Sequence, residues 1–184
     1  MSICIYHHLH KKPLPFKQLM FNLHCSQKLL DRLGTKGVVP TESSTNILGN
    51  WYAKVIFTKP QVALFVNERT LLPVLMPFAP ATNLVERFPH YLFKILLAHG
   101  MNQAFIENEM NGLDRVNFCK ATNRTTIAML NRYTLDLGFI SEMYGGNLFV
   151  ISMDIANRPS GVLPKSSITP ALALQDFAAI GQMH

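Results

Sequence analysis

Apolar and polar positions change period several times along the chain, and each change marks an element. Residues 1–19 hold three histidines, Lys11, Lys12 and two prolines without a sustained apolar period, so they read as a tail or an upstream extension of a domain starting at Met20. From there Phe21-Asn22-Leu23-His24-Cys25 alternates as a short strand. Ser26 is placed to cap a helix over residues 27–33, and Gly34 to end it. Residues 35–50 are rich in Gly, Pro, Ser, Thr and Asn and form a loop long enough to expect mobility or function.

A period of two over 51–58, a break at Lys59-Pro60 and a second run over 61–66 predict a β-hairpin. The polar turn 67–70 leads into a third strand over 71–76, whose Pro73 has no N–H for a ladder and so belongs at a sheet edge. Pro89 suits the first position of a helix ending at His99 and Gly100, with Leu92, Ile95, Leu96 and His99 on one face. Asn102 is a cap for a second helix reaching Gly112, and residues 115–119 alternate as a strand. Thr122 or Asn123 caps a further helix from Arg124 through Tyr133, continuing more weakly to Tyr144 and stopping at Gly145-Gly146. The apolar run 148–155 fits strand and helix equally, and Thr169-Pro170 opens a terminal helix over 171–180.

Together these elements predict a single α+β domain over residues 20–184. Its sheet is expected to be antiparallel, a meander over about 51–76 plus strands near 21–25 and 115–119, with helices packed on it. A length of 184 residues suits one core, and 48% hydrophobic against 15% charged residues favours burial over disorder. No apolar run reaches the roughly 18 to 20 residues of a membrane span. The polar, histidine-rich start lacks the features of a signal peptide. Cys4, Cys25 and Cys119 are odd in number and widely spaced, which fits reduced thiols and a cytoplasmic location better than disulfides. The net charge of +6 hints at nucleic acid until it is located: Lys11, Lys12 and Lys17 precede residue 20, where no acid does, and the remaining excess is dispersed. Nucleic-acid binding is thus a weak second alternative.

Candidate chemistry is sparse. Cys4, His7, His8 and His10 have soft-ligand character but no fourth ligand nearby, so no metal site is read there. Cys25, just before a helix start, is the better candidate for a reactive thiol, although its neighbour His24 points to the opposite face of a strand. Glu107 and Glu109 face different directions on a helix, and phosphate-binding glycine loops are absent, so neither a carboxylate pair nor a nucleotide cofactor is indicated. Polar density gathers at two chain reversals, Asn67-Glu68-Arg69-Thr70 and Thr122-Asn123-Arg124-Thr125. Glu68, Arg69, Asn123, Arg124 and Thr125 are candidates there for holding an anion or a partner, or simply a turn and a cap with Glu68 paired to Arg124. Trp51 is a core residue or a partner anchor.

Four segments in order, Phe21–Leu30, Leu48–Ala53, Leu64–Thr70 and Thr122–Thr125, resemble a family of small bacterial proteins known only as a domain of unknown function. The resemblance runs from Met20 to about Arg158. It implies an acidic residue in the helix after the last segment, where this chain has Arg132. It implies no activity and no cofactor. The reading is therefore a non-enzymatic binding module whose partner is a protein or a small anionic ligand. The enzyme alternative is a hydrolase or transferase using Cys25 or an anion site centred on Arg124.

Overall fold

The computed structural model describes residues 20–113 and 115–181, the last two by backbone alone. The proposed tail and its Cys4, His7, His8 and His10 lie outside the described residues. Strand β1 (Phe21–Cys25) leads into α1 (Gln27–Leu33), whose cap Ser26 accepts the Leu29 N–H and whose end is Gly34 at φ 65°. Strands β2 (Trp51–Ile56), β3 (Val62–Asn67) and β4 (Pro73–Pro77) follow. A single 3-10 turn over Ala81–Asn83 precedes α2 (Leu84–Ala98) and α3 (Gln103–Asn111). Strand β5 (Val116–Lys120), α4 (Arg124–Ile140), α5 (Leu148–Ala156) and α6 (Pro170–Gly181) complete the order.

The protein is α+β, with one five-stranded sheet in the order β4-β3-β2-β1-β5. The meander is antiparallel, and β4 with its two prolines is an edge strand, as expected. The remaining pairing departs from the expectation of an antiparallel sheet: β1 runs parallel to both β2 and β5. Alternation identifies a strand but not its direction. The connection through α1 and residues 34–50 is long enough for the crossover that a parallel pair needs, whereas an antiparallel pair needs only a turn. Parallel strands are buried on both faces, and β1 is buried at all five positions, including Asn22 and His24.

Helices cover both faces. Phe21, Leu23, Trp51, Ala53 and Phe65 face a core filled by α1, α2, α3 and α6. On the other face Tyr52, Ile56, Leu64, Val66 and Leu75 meet α4 and α5. Helix α2 starts five residues before Pro89, which lies inside it. Its apolar stripe continues upstream through Leu84 and Phe88, both buried, and this packing outweighs the hydrogen bond that a proline nitrogen cannot give. The run 148–155 is helical because Asn147 caps it, accepting the Val150 N–H, and because Ile151 and Ile155, one turn apart, are both buried. Ser152 on α5 also accepts the Leu75 N–H at 2.9 Å, satisfying a main-chain donor of the edge strand.

Candidate functional site: a polar half-face of the sheet

The apolar cluster under α4 and α5 takes no residue from β1 or β5. On that half of the face the strands present polar side chains in two rows. The first row runs Asn117, Asn22, Asn50, with Asn22 and Asn117 in register on β1 and β5. The second runs Cys119, His24, Tyr52, since His24 is in register with both neighbours. Burying amides requires partners, and Asn22, 2% exposed, has them. Its Nδ2 donates to the Glu42 carbonyl (2.9 Å), its Oδ1 accepts from Asn117 Nδ2 (2.9 Å), and its backbone N–H donates to Ser44 Oγ (2.8 Å). The Ser44 hydroxyl passes on to Asn50 Oδ1 at 2.7 Å. The long loop 35–50 is thus one wall of the site. The rings of His24 and Tyr52 stack at 4.5 Å and 7°. His24 Nδ1 sits 3.1 Å from the Lys120 carbonyl and so carries the hydrogen, while the buried Nε2 has no hydrogen-bond partner.

Glu68 is the hub of the arrangement. Its carboxylate accepts from Asn50 Nδ2 (2.9 Å), Asn123 Nδ2 (2.9 Å) and the Tyr52 hydroxyl (3.3 Å). Burial and the adjacent Glu68 push the Tyr52 phenol up to about 12, so it remains a donor at neutral pH. Asn67, fully buried, sets Glu68 in place: its Oδ1 accepts the Arg69 and Thr70 N–H groups, and its Nδ2 reaches the Leu48 and Asn50 carbonyls. Beside the hub opens a crevice of about 330 Å³, lined among others by Asn22, Glu42, Ser44, Asn50, Glu68 and Arg69.

Asn123 joins this web to α4, because its Oδ1 also caps the helix through the Thr125 and Thr126 N–H groups. Asn123→Ala removes the cap and one ligand of Glu68 together. It is expected to cost about 1 to 2 kcal/mol, read from urea unfolding, while Asn123→Asp keeps the cap but sets a second carboxylate against Glu68.

Over residues 22–173 the chain matches the family model described as Domain of unknown function (DUF6933). The chain belongs to this family. No curated protein and no solved structure matches it. Every residue of the two rows, and the Glu68 hub, falls within the part of this DUF6933 domain that the family model covers.

The residues singled out in the sequence scatter more than their motifs suggested. Glu68 and Asn123 meet, but the expected Glu68 to Arg124 pair does not form; amides and a phenol take its place. Arg124 and Thr125 are exposed on the first turn of α4, where Thr125 contributes only its backbone N–H. Arg69, at the edge of the crevice, is engaged elsewhere, donating to the Ile47 carbonyl at 3.2 Å with its guanidinium 5.4 Å from the Phe177 ring. It also closes over Gly49, at φ 76°, where a Cβ would stand 3.2 Å from its guanidinium carbon. Trp51 is fully buried among apolar side chains. Cys25 is 1% exposed, points into the apolar core, and burial pushes its thiol up to about 12, which does not suit a nucleophile.

The DUF6933 site also contains residues that the sequence did not mark: Asn22, His24, Asn50, Tyr52, Asn117 and Cys119. For Asn22, His24, Asn117 and Cys119 the signal was present as non-aliphatic residues at every second position of β1 and β5. Among the described residues no three His, Cys, Asp or Glu side chains cluster closely enough to hold a metal ion, and no helix is long and apolar enough to cross a membrane.

Proposed function

We propose that this domain is a non-enzymatic binding module of the bacterial cytosol and that its ligand is read in the Glu68 crevice. One observation carries the reading: three segments far apart in the chain, at residues 50–52, 68 and 123, meet at a single hydrogen-bonded carboxylate beside an open crevice. The acids Glu42 and Glu68 line it against the single cation Arg69, so its chemistry favours a ligand with N–H donors. A protein partner offering amide or ammonium groups fits better than a small anion. Three donors already point at Glu68, which fixes the carboxylate before a ligand arrives and lowers the ordering cost of binding.

The test is a thermal-shift and NMR titration of the full chain with short lysine- and asparagine-containing peptides, spermidine and, as comparators, dicarboxylates. The amine and amide probes are expected to stabilise the wild type and to lose that effect in Glu68→Gln, whose own melting is recorded alongside. No stabilisation by any amine or amide probe, or equal stabilisation of Glu68→Gln, overturns the reading. A response confined to dicarboxylates does so too.

A further inference from the structure

At the carboxyl ends of β1 and β5 the chain departs in opposite directions. From β1 it enters α1, whose Leu29 and Leu30 pack on one face of the sheet; from β5 it enters α4, whose Met129 and Leu130 pack on the other. Adjacent parallel strands whose connections leave on opposite faces open a crevice between them, the place where open α/β sheets bind ligands. Such a crevice is present, with a volume of about 280 Å³, floored by Ile127 and Leu130 and walled by Gln27, Lys54, Lys120 and Asn131. It is distinct from the Glu68 crevice, with which it shares no lining residue.

Its charge is unbalanced. Lys54 is half-buried on β2 and donates to the neutral Asn131 Oδ1 at 3.0 Å. Neither Lys54 nor Lys120 forms an ion pair among the described residues; the ion pairs found there join Arg158 to Asp136 and Asp154. Asp31, the acid on α1, is engaged by Gln27 Nε2 at 2.8 Å. Burial first, and then the neighbouring Lys28, press the Lys54 ammonium below its ordinary range, as expected of a cation withdrawn from water without a counter-charge. An anion at this point would relieve both effects.

We propose that the crevice between the ends of β1 and β5 is a second binding site, for a small oxyanion carrying a phosphate or carboxylate group, held by Lys54 and Lys120. The volume falls just below the usual range of small-molecule sites, roughly 300 to 1,000 Å³, and suits a small metabolite rather than a whole nucleotide.

The probes are inorganic phosphate and succinate, titrated into the full chain at constant ionic strength set with chloride and followed by amide chemical shifts and melting temperature. The expected result is a saturable shift of Ala121 and Asn131 amides with one or both probes. Lys54→Met should weaken it by about tenfold or more, the scale of one charge-assisted hydrogen bond, and Lys54→Arg should retain it. Glu68→Gln should respond as the wild type, which separates this site from the module's crevice. A shift no larger than chloride alone produces, or one unchanged in a folded Lys54→Met, overturns the proposal.

Discussion

Phe88→Ala is expected to destabilise the protein more than any other single truncation considered, by about 3 to 5 kcal/mol. Phe88 is fully buried on α2 and binds three sheet residues through its ring. It stacks on Phe65 (4.3 Å, 20°) and on Phe21 (6.1 Å, 25°), and meets Trp51 edge-on (5.0 Å, 72°). These partners come from β3, β1 and β2, so the lost ring leaves a hole where the parallel and antiparallel halves of the sheet join. Domains of this size have roughly 5 to 15 kcal/mol to lose. Urea unfolding of Phe88→Ala and Phe88→Leu checks the expectation, leucine being much the milder. A cost below about 1 kcal/mol for alanine would mean that the aromatic cluster is not central.

The second large effect is at Glu109, a carboxylate with no exposed surface. Its two oxygens accept from Asn46 Nδ2 and the Leu48 N–H, each at 2.8 Å, while the Trp51 N–H nearby makes no well-aligned hydrogen bond. Glu109→Ala leaves these buried donors without an acceptor, an expected loss of about 3 kcal/mol. The contact also fixes the loop entering β2: Gly112, one turn on, lies so close that a Cβ there would stand 2.4 Å from Asn46 Cβ.

Burial raises the Glu109 carboxyl pKa, and the hydrogen bonds from Leu48 and Asn46 only partly oppose it. The native state therefore holds this proton more tightly than the unfolded chain, and the group favours folding most below the unfolded value, about 4.3. That contribution is lost as pH rises from there through the native value, because the unfolded state then binds fewer protons than the native one. Wild-type unfolding free energy measured from pH 4 to 8 should carry this downward component. Glu109→Gln should lack it, whatever its overall cost.

Much of the scaffold was legible from local chemistry. Ser26, Asn102 and Asn123 cap helices because a short polar side chain before an apolar repeat has one obvious use, and Pro73 lies at an edge because it cannot donate to a ladder. The direction of β1 and β5 was not legible, since alternation is the same in parallel and antiparallel pairs. Nor was the start of α2, because burial of Leu84 and Phe88 is a tertiary fact that overrides the proline. The site divides in the same way. Glu68 and Asn123 stood out because turns and caps concentrate polar residues locally. Asn22 and Asn117 did not, because they meet across 95 positions of sequence and only strand order brings them together.

Helix α4 lines one crevice and is tied at its cap to the carboxylate beside the other. Asn123, at its cap, is bonded to Glu68, and Asn131 is bonded to Lys54. Eight residues of helix span about 12 Å, too short and too well hydrogen-bonded to bend appreciably. A rod of that length moves as one body, so any tilt that widens the crevice at one end changes the reach of the amide at the other.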